Sequence, residues 1–139
     1  MRPEALAALA GVAHIVHAGD IGSADVLSQL GKIAPVTAVR GNNDKDAWAK
    51  RIAETEVLEI EGRRLYVLHD LNELDLDPAA ADFSVVVTGH SHKPAVITKD
   101  RVLFVNPGSA GPRRFKLPIT VGTLEIGHGV VRATIWDLF

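Results

Sequence analysis

The 139-residue chain contains no cysteine. That removes disulfides, thiolate zinc sites and cysteine nucleophiles, and it is in keeping with a reducing compartment. An excess of charge of either sign is also missing. Fifteen Lys and Arg stand against 17 Asp and Glu, a net charge of −2, with a pI near 6.3. A nucleic-acid binder that works through a basic face needs a surplus of cations, so that class is set aside. No apolar run is long enough to span a membrane. The longest candidate, residues 5–13, reads as a short helix with Pro3 in its first turn, Leu6 and Leu9 on one face and Gly11 as its stop. It runs on through His14-Ile15-Val16 without a cleavage boundary, so a signal peptide is not read there. Repeats, low-complexity stretches and linkers are absent as well. The expectation is one soluble, cytoplasmic domain over residues 1–139.

What is present is a hydrophobic fraction of 47% with 23% charged residues, the balance of a chain that buries a core. Short β-like runs alternate with helical segments in the first half. Residues 12–18 read as a strand ending at Gly19-Asp20, and Ser23 opens a helix over 24–30 that Gly31 closes. Residues 33–40 form a second strand ending at Gly41-Asn42-Asn43-Asp44, with Asp44 capping a further helix that holds Trp48 in the core. Residues 57–60 and 65–68 flank Glu61-Gly62-Arg63, a hairpin signal, and the second of these strands ends at His69-Asp70. Residues 72–81 read as a loop or weak helix. A β-branched strand over 83–88 ends at Gly89-His90-Ser91-His92. Strands over 95–98, 102–105, 120–126 and 130–136 follow, the last two joined by Gly127-His128-Gly129. Such βα units giving way to hairpins predict a layered α/β sandwich.

Polar residues able to bind metal recur directly after the apolar strands: Asp20, Asn42, His69, His90 and His92. Ligands of open α/β sheets bind beyond the carboxyl ends of strands, so these five meet at one edge if their strands are parallel neighbours. One carboxylate, one amide oxygen and three imidazoles suit Mn, Fe or Zn better than Ca or Mg. A carboxylate can bridge two ions, and two ions roughly 4 Å apart can clamp a phosphoryl group and activate water, which is chemistry for phosphoester hydrolysis. Taken singly, each residue has an ordinary structural reading, since Gly-Asp and Gly-Asn pairs are common turn formers. Their order along the chain makes the set specific.

In that order the motifs resemble those of the calcineurin-like metallophosphoesterases, especially the small single-domain phosphodiesterase branch. Gly19-Asp20, Gly41-Asn42-Asn43-Asp44, His69 and Gly89-His90-Ser91-His92 stand where that family has Gly-Asp, Gly-Asn-x-Asp/Glu, His and Gly-His-x-His. Asn106-Pro107-Gly108-Ser109 is similar to a segment of the small branch. The resemblance implies an α/β/β/α sandwich and a metal-dependent phosphoesterase, acting on phosphodiesters or monoesters through metal-activated water. It implies Asp20 as the bridging carboxylate, Asn42, His69 and His90 as ligands of one ion, and His92 as a ligand of a second. The resemblance further implies Asp20, Asn42 and His90 as the catalytic set. Manganese is the first choice of ion, with Fe, Zn or Ni as alternatives, one or two ions in number. The implied partner is a small phosphoester, and a homo-oligomer is the one protein partner considered.

Three departures from the family pattern stand out. Residues 1–11 contain no Asp and no His, so the family's opening Asp-x-His, carried on a first strand in mid-sheet, is missing. The ion held by His92 would then keep few protein ligands, and two strand edges would be left open. The expectation is that translation starts upstream of Met1 and supplies that strand. Position 43 is Asn, where many relatives have a proton-donating His, so Asn43 could bind substrate but not act as a general acid. Asp70 replaces a Gly, and could rotate the loop, add a ligand or orient an imidazole.

The rival reading is a binding scaffold that kept the fold and lost the chemistry, as in the retromer scaffold subunit, which resembles this family. Of the remaining residues, Arg40 could reach a substrate phosphate, as could Arg113 and Arg114. His17 reads as a core histidine, and His14 and His128 as structural or exposed.

Overall fold

A computed structural model describes residues 3–110, 119–127 and 129–138. Arg113, Arg114 and His128 lie outside them. The elements in chain order are α1 (Pro3–Ala8), β1 (Ile15–His17), α2 (Ala24–Gly31), β2 (Val36–Ala38), a 3-10 turn (Ala49–Arg51), β3 (Thr55–Ile60) and β4 (Arg63–Leu68). A second 3-10 turn (Leu71–Glu73), β5 (Val85–Val87), β6 (Ala95–Lys99), β7 (Val102–Asn106), β8 (Thr120–Gly127) and β9 (Val130–Asp137) complete the order.

Three sheets result among the described residues. β1 and β2 pair in parallel, β8 and β9 form an antiparallel ribbon, and a five-stranded mixed sheet runs β3-β4-β5-β7-β6. Alternation along the central strands divides them between two cores. Leu65 and Val67 of β4, Val85 and Val87 of β5, and Leu103 and Val105 of β7 face inward. There they meet Val16, Ala18 and Val39 from the β1–β2 side and Leu124, Ile126, Val131 and Ala133 from the ribbon. Tyr66, Leu68, Val86, Val102 and Phe104 face outward and are covered by Leu74, Leu76, Ala81 and Phe83. On the far side, Ile15 and Val36 are covered by Leu6 of the first helix, Leu9 just after it, and Val26 and Leu30 of the second. Each fully buried Val or Leu is worth about 1.5–3 kcal/mol. The expected layers are there, and the outermost one is made of a 3-10 turn and bends instead of a regular helix.

Several local expectations give way to chain chemistry. Both early strands are three residues long. Gly11 turns the chain at φ +82 before the first, and Pro35 before the second has no N–H for a ladder. Gly31 is the last residue of α2 itself, followed by Lys32 in right-handed geometry. Ser23 occupies the N-cap position without a side-chain bond. The β3–β4 turn is Glu61-Gly62 alone, both at positive φ, and Arg63 already pairs with Ile60, the geometry of a type I′ hairpin. Asp44 does not cap a helix, and Trp48 is only half-buried, at the start of a single 3-10 turn.

The strands that carry the candidate site are not all neighbours in one sheet. β1 and β2 form one ladder, and β4 and β5 are parallel neighbours in another. Their carboxyl ends come together where the two inner sheet faces meet, around the shared core of Ala18, Val39, Val67 and Val87.

Candidate metal centre

Each candidate side chain sits in the first residues after a strand. Asp20 follows β1, Asn42 follows β2, His69 follows β4, and His90 and His92 follow β5. Oδ1 of Asn42 lies 2.8 Å from Nε2 of His69 and 3.3 Å from Nδ1 of His90. The two imidazole nitrogens are 3.3 Å apart, with the rings edge to face. Oδ2 of Asp20 is 3.4 Å from Nε2 of His69 and 3.9 Å from Nε2 of His92. Five residues from four separate segments therefore converge, and Asp20 stands between His69 and His92.

Backbone geometry around these side chains is unusual. Asp20, His90 and His92 adopt φ values of 55, 67 and 60, a left-handed region that costs a non-glycine residue on the order of 1 kcal/mol or more. Three of the five convergent residues are thus held in disfavoured conformations by their surroundings. Gly41 has another reason to lack a side chain. A Cβ there would overlap the backbone nitrogen and Oδ1 of Asp20.

The loops are tied together by residues whose roles the sequence did not disclose. Asp44, 4% exposed, accepts N–H bonds from Ile21 at 3.0 Å, Gly22 at 3.2 Å and Gly41 at 2.9 Å. It staples the loop of Asp20 to the loop of Asn42. Asn43 donates to Asp20 from its backbone N–H at 3.0 Å and from Nδ2 at 3.2 Å. Asn106 donates to the Gly89 carbonyl and the Ser91 hydroxyl, and its Oδ1 accepts the Gly108 N–H. The Asn-Pro-Gly-Ser segment is thereby a brace for the loop bearing His90 and His92. The spacing of polar residues inside Gly41–Asp44 was the one available signal for the staple.

Second contacts fix which imidazole nitrogen faces the cluster. The Ala18 carbonyl lies 2.7 Å from Nδ1 of His69 and can only accept, so Nδ1 donates to it, and in the neutral ring the Nε2 lone pair is the one turned to the cluster. With the amide oxygen turned inward, Asn42 also presents lone pairs. Two acceptors at 2.8 Å repel unless a proton or cation stands between them. No three His, Asp or Glu side chains among the described residues close around one point by themselves. The Asn42 oxygen lies against two of the imidazoles, those of His69 and His90. One amide oxygen, one carboxylate and neutral imidazoles are a donor set that fits a divalent transition ion.

The remaining candidates are accounted for individually. Arg40 is paired with Glu54 at 2.8 Å and lines a trough of about 560 Å³ beside Asn42, His69 and His90, together with Lys45, Lys50, Asp70 and Glu73. His17 lies beneath the site, and its Nδ1 accepts the Gly19 N–H. Burial lowers its pKa from 6.5, with His69 adding to that shift and Asp44 and Asp20 opposing it. His14 bonds Thr37. Neither belongs to the cluster. No helix among the described residues is long and apolar enough to cross a membrane.

The layered fold is of the metallophosphoesterase type, and comparison with known proteins points to the same family. Residues 1–129 match the model of the calcineurin-like phosphoesterase superfamily domain. The chain belongs to that superfamily. It is similar to a probable metallophosphoesterase of Methanothermobacter thermautotrophicus, 32% identical over 102 residues, which are 68% of this chain and 59% of that protein. The chain thus matches little more than half of that relative's length. A phosphodiesterase of Methanocaldococcus jannaschii is 28% identical over 125 residues, 80% of this chain and 75% of that one. Among solved structures, Vps29 of Entamoeba histolytica, crystallised with zinc, superimposes with a TM-score of 0.70 at 22% identity, covering 92% of this chain and 83% of that one.

Proposed function

We propose that this chain is a metal-dependent phosphoesterase that hydrolyses phosphodiesters. The observation that carries the reading is the convergence of Asn42, His69, His90 and Asp20 beside an open polar trough. Asn42, His69 and His90 would hold one ion with Asp20, and His92 would hold a second from the other side of that carboxylate. Manganese is the expected ion, with Fe, Zn and Ni as alternatives. When bound, such an ion polarises a phosphoryl oxygen and makes water a nucleophile near neutral pH.

The protein's own groups do the rest. Ala18 and Asp44 keep the donors aimed, and Asn43 holds Asp20 through two hydrogen bonds. Asn43 could also donate to a phosphoryl oxygen. An amide cannot give up a proton, so the general-acid contribution of about 10²–10⁴ is missing at this position. Substrates with good leaving groups are therefore favoured. Arg40 reaches a substrate phosphate only by giving up Glu54.

Hydrolysis of bis(4-nitrophenyl) phosphate by the purified protein with Mn²⁺ tests the reading, with chelator and His90→Ala as controls. Turnover that needs the metal and is lost in His90→Ala supports it. A stably folded protein that takes up no metal and shows no turnover above that control would favour the scaffold reading instead.

A further inference from the structure

The trough beside Asn42, His69 and His90 measures about 560 Å³, within the range of about 300–1,000 Å³ typical of ligand sites. It has room for more than the reacting phosphoryl group. Beyond the cluster itself, two segments of chain line it, and charge is divided between them. Residues 40–54 supply Arg40, Lys45, Lys50 and Glu54, and the loop after β4 supplies Asp70 and Glu73. Arg40 and Glu54 neutralise one another at 2.8 Å. The Asp44 carboxylate is committed to three backbone N–H groups. Lys45 and Lys50 are exposed and form no ion pair among the described residues. Their backbone is firmly placed even so. Lys45 follows the stapled Asp44, and Lys50 follows Ala49, which is fully buried at the start of its 3-10 turn. An anionic group entering the trough is thus drawn toward Lys45 and Lys50 and repelled by Asp70 and Glu73.

Position 43 adds an independent constraint. Asn43 cannot protonate a departing group, which favours one already stable as an anion. An alkoxide is not, since its conjugate acid is about as weak as water, with a pKa of about 16. A phosphomonoester is, because its last proton is lost near about pH 6, and it brings negative charge to the two free ammonium groups. We propose that the substrate is a disubstituted pyrophosphate, with Lys45 and Lys50 holding the phosphoryl group that departs. Each phosphorus in such a molecule carries two substituents, as in a phosphodiester, and the inference rests on the function proposed above. The oxygen of water bonds to one phosphorus as the bond from that phosphorus to the bridging oxygen breaks. The electron pair stays on the bridging oxygen, two phosphomonoesters result, and the protons of the water pass to solvent.

Symmetrical diethyl pyrophosphate and diethyl phosphate, followed by ³¹P NMR with Mn²⁺ present, test the leaving group. The pyrophosphate should be hydrolysed and the dialkyl ester should not. Bis(4-nitrophenyl) phosphate, whose leaving group is acidic but brings no second phosphate, isolates the lysines. The double variant Lys45→Gln/Lys50→Gln should lower the ratio of kcat/KM for the pyrophosphate to that for the aryl diester by roughly tenfold or more. Lys45→Arg/Lys50→Arg should restore most of that ratio. Calorimetric titration of the Mn²⁺-loaded protein with methylenediphosphonate, which cannot be hydrolysed, should show a Kd weakened by a similar factor in the Gln variant. An unchanged ratio or an unchanged Kd overturns the proposal, as does hydrolysis of diethyl phosphate at a rate comparable to the pyrophosphate. Turnover of the aryl diester without turnover of the pyrophosphate overturns it and leaves the phosphodiesterase reading standing. No turnover of any of the three defeats that reading, and this proposal with it.

Discussion

Nε2 of His69 stands 2.8 Å from Oδ1 of Asn42, with its other nitrogen already committed to the Ala18 carbonyl. Both atoms can ligate an ion, so a bound cation should tie these two loops together. Mn²⁺ at about 100 times its Kd adds about 2.7 kcal/mol of stability, or roughly 5–10 °C in Tm for a domain of this size. Thermal scans with Mn²⁺ and with chelator should differ by that amount. His69→Ala and Asn42→Ala should lose the difference, and His14→Ala, whose ring bonds Thr37 away from the cluster, should keep it. An unchanged Mn²⁺ shift in His69→Ala would remove that residue from the site.

Much of this arrangement was legible in the chain because each donor follows an apolar run directly. A buried strand must end where a polar residue can reach solvent, so Asp20, Asn42, His69 and His90 declared a shared edge. The division of the site-bearing strands between two sheets was not legible. Alternation identifies which residues of β4 and β5 face each core, but no local signal says that β1 and β2 pair apart from them. Asp44 was misread for a related reason. Within its own segment it looks like a helix cap, and its true partners Ile21 and Gly22 lie 23 and 22 positions away. Asn106 was similarly opaque, since its hydrogen bonds go back to the loop at Gly89 and Ser91.

Gly41 and Gly11 predict a contrast. Alanine at Gly11 meets open space and only the strain of φ +82, a cost of about 1 kcal/mol. Alanine at Gly41 would drive its methyl into the backbone and Oδ1 of Asp20, and neither neighbour is a flexible chain end. Gly41→Ala should lose several-fold or more in Mn²⁺ affinity, while Gly11→Ala leaves it untouched. Urea unfolding and metal titration of both variants check this. Equal metal affinities would mean that the Asp20 loop moves freely.

Burial of His17 makes stability depend on pH. Its pKa is lowered from 6.5 in the folded protein, chiefly by desolvation and further by His69, against Asp44 and Asp20. As pH falls through 6.5 the unfolded chain takes up a proton that the folded chain refuses. This residue's contribution to stability therefore falls from about pH 6.5 downward, and it levels off once the folded His17 also protonates. Above pH 6.5 it is constant. His17→Asn, which keeps an acceptor for the Gly19 N–H, should show a flatter stability profile between about pH 6.5 and 5. Urea midpoints across that range give the difference, and parallel profiles would assign the pH dependence elsewhere.

Asp44 should matter to the fold and to the site together. Its carboxylate satisfies three backbone N–H groups from two loops in a place water scarcely enters. Truncation to Ala leaves those donors without partners, at about 1–3 kcal/mol for a buried group and more where several are lost together. A destabilisation of about 3–5 kcal/mol in urea unfolding is expected. Asp44→Asn is the informative companion, because one amide oxygen can accept from Gly41 and Ile21 but its NH₂ opposes the Gly22 N–H. It should fold, lose less stability than Ala, and bind Mn²⁺ more weakly than the wild type, since the Asp20 loop is then only half fastened to the Asn42 loop. If Asp44→Asn matched the wild type in metal affinity, the staple would serve stability alone and the site would owe its geometry to Gly41 and Asn43.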